Sequence, residues 1–371
     1  MLTYPQRGQS SIRNKLRSSA GECGVRRRAG PDRQESMASE DPTVNDGAAA
    51  SPVAGDPWTN REGIEEYNIR WHWLQKPSSS GFTAVLRVRD EARSLPWVLP
   101  PILRSVQHVI LVDNNSTDGT PELARQIARN QGSEHKLEVL SYPFEVSRCG
   151  PEHLATYPDS VHSLTYFYNW SFSHVRTRYA LKWDGDMVLS PEGEQVLRDL
   201  AWQLEGVGGT VRMALSSVYV ESPRVAYVDL SYVHGELCGW RNVPEHTFVK
   251  CFDWEHVRPW SDSLLRVPDW MCFELKWLEA DEFDHWSDTE FETGPLFRKR
   301  REWAVIRALL GGTDLPDGVI RIESPRDVHV VDHLQQNYVT MRHRGSAVES
   351  AFDPAGNEET SQQLTEKTQR S

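Results

Sequence analysis

Residues 108–121 read HVILVDNNSTDGTP, and this stretch decides the fold. His108–Val112 has the length and the β-branched content of a buried strand. Asp113–Gly119 consists of residue types that form tight turns. Thr120 is a good helix cap and Pro121 suits the first helical position, so a helix is expected to follow. A buried strand that runs through a short polar turn into a helix predicts a parallel sheet covered by helices.

The same alternation continues on both sides of this stretch. Three further apolar runs predict strands at Phe82–Val88, Leu137–Ser141 and Tyr179–Trp183, and helices are expected at Arg93–Ser105 and Asp159–Arg176. We therefore predict an α/β fold with a mostly parallel, Rossmann-like sheet flanked by helices. Ligands of such sheets bind at the carboxyl ends of the strands.

Composition divides the chain into three regions. Residues 1–62 are rich in Ser, Gly, Ala, Pro, Asp and Arg without apolar periodicity, which predicts a disordered N-terminal segment. Residues 63–346 are expected to fold, with a first half at about 82–205 and a second half at about 206–346. Residues 347–371 are polar and are expected to form a flexible tail.

The second half differs in character from the first. The sequence predicts two longer strands, at Val211–Val220 and Val225–Tyr232, that could pair as a hairpin. The rest is expected to be rich in loops and aromatic residues, because seven of the fourteen tryptophans lie between Trp240 and Trp303. Indole rings stack on sugars but more often fill cores, so we expect one or two of them to touch a ligand.

Charge and cysteine usage exclude several classes of protein. The net charge of −12 argues against nucleic acid as a partner, because phosphate backbones need a basic surface. No apolar run is long enough for an integral membrane segment. The five scattered cysteines indicate neither a disulfide framework nor a zinc site, which favours a reducing, cytoplasmic location. P-loop, dinucleotide-binding and zincin motifs are absent from the sequence.

Three polar clusters follow predicted strands: Arg87–Glu91, Asp113–Asp118 and Asp184–Asp186. In the third, two carboxylates flank a glycine and could converge on Mg²⁺ or Mn²⁺, which prefer oxygen ligands and bind phosphates. A solvated Asp-Gly turn is the alternative interpretation. The second cluster could bind a nucleoside or be an ordinary turn. A calcium loop is disfavoured there because Arg125 stands where a bidentate glutamate is needed. The first cluster could bind a nucleotide or form a surface ion network.

Together, three segments resemble a known family: VLRVRDEARSLPWVLPPIL at 85–103, HVILVDNNSTDGTPELA at 108–124 and YALKWDGDMVLSP at 179–191. They are similar to the family-2 glycosyltransferases of the GT-A fold, which carry a D-x-D motif. The resemblance implies a metal-dependent enzyme that uses Mn²⁺ or Mg²⁺. Such an enzyme moves a sugar from a nucleotide-sugar donor to a carbohydrate or other hydroxyl acceptor, with inversion the expected outcome. The resemblance also implies that the first half binds the nucleotide and that the aromatic second half binds the acceptor.

The resemblance also implies roles for individual residues. Arg87, Asp90 and Glu91 would line the nucleotide site, and Asp113 and Asn114 would contact base and ribose. Asp118, in the same cluster, is also expected to bind the nucleotide-sugar. Asp184 and Asp186 would bind the metal and the diphosphate, and Asp186 is counted with the catalytic residues. Two positions depart from the family pattern, since Asp90 stands where the family often has Asn and Asn114 where it has a second Asp.

A glycosyltransferase that inverts also needs a carboxylate base. Glu274 is the first choice, because an acid inside the apolar run Met271–Trp277 is costly unless it is used or paired. The alternative is a structural ion pair with Lys276 or Arg266. The other candidates are Asp253, Glu255, Glu279, Asp281, Glu282 and Asp284.

Two rival functions fit the same residues. Asp184-x-Asp186-x-Val188 loosely matches the start of haloacid-dehalogenase-like phosphatases, in which the first aspartate is a nucleophile. That motif normally follows the first strand of its domain, whereas Asp184 follows the fourth predicted strand. A non-catalytic module that binds nucleotide-sugars is the second rival.

Overall fold

The computed structural model describes residues 58–71, 79–207, 209–251, 254–258, 264–278 and 297–350. Its strands are β1 Ser79–Val88, β2 His108–Asp113, β3 Leu137–Ser141, β4 Thr177–Asp184, β5 Met187–Leu189, β6 Thr210–Leu215, β7 Ser217–Ser222, β8 Val225–Asp229, β9 His234–Arg241, β10 Thr247–Cys251, β11 Trp254–Arg258, β12 Leu264–Arg266, β13 Cys272–Trp277 and β14 Val319–Glu323. Its helices are α1 Leu95–Ser105, α2 Thr120–Asn130, α3 Pro151–Ala155, α4 Leu164–Ser173, α5 Pro191–Val207, α6 Phe297–Gly311 and α7 Val330–Ser350.

The main sheet has seven strands in the order β12-β6-β9-β4-β1-β2-β3. The pairs β4–β1, β1–β2, β2–β3 and β12–β6 are parallel, and β9 runs antiparallel to both of its neighbours. The prediction of a mostly parallel sheet is therefore confirmed. All four strands predicted in the first half belong to it.

Helices cover both faces of this sheet, as predicted. Leu86 and Val88 of β1 pack in a core with residues of α1, α2 and α5. On the opposite face, Val85 and the β2 residues Ile110 and Val112 pack against the aromatic side chains of α4. β1 and β2 are buried on both faces, which explains why they read as continuous apolar runs.

A second sheet has the strand order β14-β8-β7-β13-β5. The predicted strand Val211–Val220 is divided at buried Ser216: β6 joins the main sheet and β7 joins the second. A single long strand was the wrong prediction there, because apolar residues face a core on both sides of the break. β7 and β8 form the expected antiparallel pair.

Two predicted helix starts are shifted. The helix expected from Asp159 begins at Leu164, because the Ser163 hydroxyl accepts the backbone N–H of Tyr166 at 3.4 Å and caps it. Helix α2 has Gly119 rather than Thr120 at its N-cap, with φ of +83°. A glycine suits that left-handed backbone, and the cap side chain comes from Asp118 instead.

The ends of the predicted folded region differ slightly from the described structure. Trp58 pairs with Ile69 in an isolated bridge, so structure begins before residue 63. Helix α7 continues past residue 346 to Ser350. Most of the two predicted flexible ends lies outside the described residues. Within the described ranges, no helix is both long and apolar enough to cross a bilayer.

Candidate active site

The strand register brings the three polar clusters to one edge of the main sheet. Arg87 at the end of β1 is paired with Asp184 at the end of β4, and Val88 is paired with Asp113 at the end of β2. Because the three strands are parallel and adjacent, their carboxyl ends lie side by side. The predicted convergence of the clusters is therefore found at this edge, which we call the motif edge.

Arg87 and Asp184 form the centre of the motif edge. Arg87 Nη2 donates to Asp184 Oδ1 at 2.6 Å, and the arginine side chain is only 5% exposed. The guanidinium lies 3.5 Å from the centre of the Tyr168 ring, on the α4 side of the sheet. Burial lowers the pKa of Arg87, and the charge of Asp184 opposes that effect.

Lysine side chains flank both motif aspartates. Lys182 Nζ is 3.4 Å from Asp184 Oδ2 and also forms an ion pair with Glu236 of β9. Lys276 Nζ of β13 is 3.1 Å from Asp186 Oδ2. The motif aspartates therefore engage separate basic groups, rather than facing solvent as in a free Asp-Gly turn.

The Asp184-Gly185-Asp186 turn connects the two sheets. β4 of the main sheet ends at Asp184, and β5 of the second sheet starts at Met187. The carbonyl of Asp186 accepts the backbone N–H of Leu275 at 2.9 Å, which ties the turn to β13. The second sheet thus fixes the position of the Asp184-Gly185-Asp186 turn through β5 and β13.

Glu91 packs directly on this turn. A Cβ atom added to Gly185 would lie 2.7 Å from Glu91 Cγ and 3.1 Å from Val88 Cγ1, so only glycine leaves room for the contact. Burial raises the pKa of Glu91 to about 8, with a further contribution from the Asp186 carboxylate. Burial is therefore the main reason that the Glu91 carboxyl favours its protonated form.

Asp90 and Asp118 hold the two loops of the motif edge together. Asp90 Oδ1 accepts the backbone N–H of Thr117 at 2.6 Å. Asp118 accepts the N–H of Ala92 with Oδ2 at 2.9 Å and that of Thr120 with Oδ1 at 3.0 Å. Burial raises the pKa of Asp118, but these hydrogen bonds outweigh it and lower the pKa overall. Both acids build the loops, and their predicted contact with nucleotide stays a prediction.

Asp113 and Asn114 are also used by the local structure. Asp113 Oδ1 accepts the N–H of Ser116 at 3.3 Å. Asn114 is buried, and its Nδ2 donates to the carbonyls of Tyr142 at 2.8 Å and Phe144 at 2.7 Å. Since the amide hydrogens of Asn114 are engaged inside the protein, any contact with base or ribose falls to its oxygen.

Glu274 adopts the ion pair that the sequence left open as the alternative. It is 5% exposed, with Oε1 3.1 Å from Lys276 Nζ and Oε2 3.8 Å from His234 Nε2. Its role as catalytic base stays a prediction. Of the other candidate bases, Glu255 is described and lies on β11. Asp253, Glu279, Asp281, Glu282 and Asp284 lie outside the described residues.

Sequence reasoning missed the basic partners of the motif. Lys182 stands two residues before Asp184 on the same strand, so both side chains lie on one face of the sheet. This alternation could have identified Lys182. Lys276 could not be linked to Asp186 in this way, because the pairing depends on the antiparallel contact of β5 with β13.

The aromatic residues of the second half have mixed positions. Trp240 is buried in the core beneath α4. Trp277 lies partly exposed at the end of β13, with the Arg93 guanidinium 4.1 Å from its ring centre and Trp97 6.1 Å away. Trp277 Nε1 donates to Ser94 Oγ at 2.9 Å, three residues after Glu91. One tryptophan of the second half therefore lies close to the motif edge, and contact of such a ring with a ligand stays a prediction.

The chain's own residues are compatible with a metal bound together with substrate. Among the described residues, no three His, Cys, Asp or Glu side chains form a ready-made metal site. Mg²⁺ is usually held by one or two carboxylates plus substrate phosphates rather than by a protein cage. Asp184 and Asp186 supply such oxygens. Burial is the main cause of the raised pKa of Glu91, and the charge of Asp186 adds to it, so a cation would offset that smaller part.

Comparisons with known proteins give structural likenesses only. No protein-family model and no curated protein matches the chain. Among solved structures, S. aureus TarS residues 1–349 in complex with UDP covers 61% of this chain and 78% of its own, with 10% identity and a TM-score of 0.35. The mannosyltransferase PcManGT from Pyrobaculum calidifontis, in complex with GDP-Man and Mn²⁺, covers 80% and 84%, with 16% identity and a TM-score of 0.34.

A third likeness is shorter. Glucosyl-3-phosphoglycerate synthase from Mycobacterium tuberculosis, in complex with Mg²⁺ and UDP, covers 38% of this chain and 44% of its own. The identity is 16% and the TM-score 0.23. At these scores, the function has to be argued from the residues of this chain.

Proposed function

We propose that this chain is a glycosyltransferase of the GT-A type that moves a sugar from a nucleotide-diphospho-sugar to an acceptor hydroxyl. One observation carries the proposal: the three sequence clusters that resemble the family-2 motifs meet at the motif edge, with Arg87 bonded to Asp184 at 2.6 Å. Ligands of parallel sheets bind at this kind of edge.

The order of the strands supports a place for each part of the donor. The Asp113 loop at the end of β2 would bind the nucleoside, next to the Asp90 loop at the end of β1. The diphosphate would lie between β1 and β4, where Arg87, Lys182 and Lys276 supply positive charge. Arginine and lysine are the side chains that bind phosphate oxygens most strongly.

Asp184 and Asp186 are the residues that would hold a Mn²⁺ or Mg²⁺ ion. Bound there, the ion would neutralise the diphosphate as it leaves. Transfer would follow direct displacement with inversion: the acceptor oxygen bonds to the anomeric carbon while the bond to the diphosphate breaks. A carboxylate of the second half would accept the hydroxyl proton.

We place the reaction in the cytoplasm. Cys238 and Cys272 are buried free thiols, which suits a reducing compartment. Burial raises the pKa of both thiols well above its usual range, so neither is a reactive thiolate.

The phosphatase reading has less support. A nucleophilic aspartate needs a free carboxylate oxygen of high electron density. Asp184 instead accepts a short hydrogen bond from buried Arg87 and lies beside Lys182, which lowers its nucleophilicity. In the part of the chain that the structure describes, no feature favours a purely binding role over an enzyme.

A thermal-shift screen tests the proposal. UDP-glucose, UDP-N-acetylglucosamine and GDP-mannose would be added with and without Mn²⁺. We expect at least one of them to raise the melting temperature in a metal-dependent way, and Asp186→Asn to abolish the shift. Asp199→Asn is the matched control, because Asp199 is exposed on α5. No shift of the wild type with any nucleotide-sugar or nucleoside diphosphate would contradict the proposal.

A further inference from the structure

The β10–β11 hairpin carries Glu255, which the sequence placed among the candidate bases. The hairpin packs on α4, where Phe248 and Val257 are buried among the aromatic side chains. Asn169 of α4 fixes it, since its Oδ1 accepts the N–H of Phe248 and its Nδ2 donates to the Phe248 carbonyl, both at 2.8 Å. Glu255 of β11 is therefore held on a braced element.

Glu255 lies beside the centre of the motif edge. The hairpin packs on α4, and Arg87 lies against Tyr168 of the same helix. The charge of Glu255 interacts with those of Lys182, Arg87 and Asp184, so its carboxylate is near these side chains. Its Oε2 atom is enclosed, and no described residue donates a hydrogen bond to it. Burial raises the pKa of Glu255, an effect that Lys182 and Arg87 oppose.

An enclosed carboxylate oxygen without a donor is costly, because it loses its hydrogen bonds to water. Because Glu255 Oε2 lacks a hydrogen-bond donor and its hairpin is held in place by Asn169, we expect a ligand to supply the donor. The ligand donors available in a nucleotide-sugar are hydroxyl and amide groups. A diphosphate has acceptors only and would be repelled by the acid.

The strand order indicates which hydroxyls these are. Along the edge the order is β9-β4-β1-β2, with the proposed nucleoside place at β2 and the diphosphate between β1 and β4. The sugar beyond the diphosphate would then lie past β1, over β4. Glu255 interacts with Lys182 and Asp184, which both belong to β4.

We infer that Glu255 binds the transferred sugar by accepting hydrogen bonds from its hydroxyl groups, and so helps to select the donor. The inference rests on the proposed function. It names a polyhydroxylated sugar, rather than the nucleotide, as the group that this acid recognises.

Affinity measurements separate the two parts of the donor. For Glu255→Gln, we expect calorimetry to show that the affinity for the nucleotide-sugar preferred by the wild type falls by about tenfold or more. Binding of the matching nucleoside diphosphate should be unchanged. Glu302→Gln is the control, since Glu302 is a buried acid, 1% exposed and paired with Lys299 on α6.

Deoxy-sugar donors give a second measurement that does not depend on the stability of the variant. On the wild type, removal of the hydroxyl that Glu255 binds should cause a similar loss, and the variant should show no further loss for that donor.

Three results would overturn the inference: equal weakening of diphosphate and nucleotide-sugar, unchanged binding of both, or full sensitivity of the variant to every deoxy donor. If the wild type binds neither ligand, the proposed function itself fails.

Discussion

Gly185 shows how a single residue shapes the site. Its conformation is not the reason for glycine, because its φ is not in the left-handed region. The reason is space: Glu91 and Val88 occupy the volume that a Cβ atom would need. The middle residue of the motif therefore sets how closely the first loop approaches the two aspartates.

Gly185→Ala should displace Glu91 and disturb the turn. We expect the protein to fold, with nucleotide-sugar affinity in the presence of Mn²⁺ reduced about tenfold, as measured by calorimetry. Gly311→Ala is the control, since a Cβ there meets only Thr313 Cγ2 at 4.0 Å. Equal affinity of Gly185→Ala and wild type would show that the close packing is irrelevant to binding.

Glu91 provides a pH test at the same scale. Because its pKa is raised to about 8 in the folded protein, the folded state favours the protonated acid. The free energy of unfolding contributed by Glu91 is therefore highest below its unfolded pKa and falls as the pH rises towards 8. Glu91→Gln should be more stable than wild type by on the order of 2–4 kcal/mol at pH 8 without divalent cations.

Urea denaturation from pH 5 to pH 8.5 measures this difference. The advantage of Glu91→Gln should grow with pH and be small at pH 5. If the stability difference between Glu91→Gln and wild type stayed constant across this pH range, the pKa of Glu91 would not be raised in the folded protein.

At the scale of elements, the motif edge depends on two loops that brace each other. The loop after β1 and the turn before α2 exchange hydrogen bonds through Asp90, Ser116 and Asp118. Asp90 has a φ of +56°, an uncommon conformation that these bonds support. The sequence predicted that these residues bind a ligand, whereas in the structure many of their hydrogen bonds join the two loops to each other.

Asp118→Ala should weaken this brace and the start of α2. Loss of the cap and of the bond to Ala92 should lower the free energy of unfolding by about 1–2 kcal/mol. Glu122→Ala is the matched control, because Glu122 is exposed in the same first turn and forms a 3.5 Å surface ion pair with Arg125. We expect this variant to change the free energy of unfolding by about 0.5 kcal/mol or less. Similar losses for both variants in chemical denaturation would contradict a special role of Asp118.

At the scale of the whole molecule, the sequence predicted the part of the fold that depends on local pattern. The strands at Phe82–Val88 and His108–Val112 and their helices follow from apolar runs and turn residues. The position of Asp186 against Lys276 does not, since it depends on pairing between distant strands of the second sheet. The sequence indicated an ion pair of Glu274 as an alternative to catalysis, but only the three-dimensional structure identifies Lys276 as its partner.

The two sheets meet at the Asp184-Gly185-Asp186 turn, so the central claim concerns what binds there. The most direct measurement is a crystal structure with Mn²⁺ and a nucleoside diphosphate, with the metal located by anomalous scattering. We predict a manganese peak within coordination distance of an Asp184 or Asp186 oxygen and of the diphosphate, with the nucleoside against the Asp113 loop. A nucleotide bound elsewhere, or a manganese ion remote from both aspartates, would contradict the account.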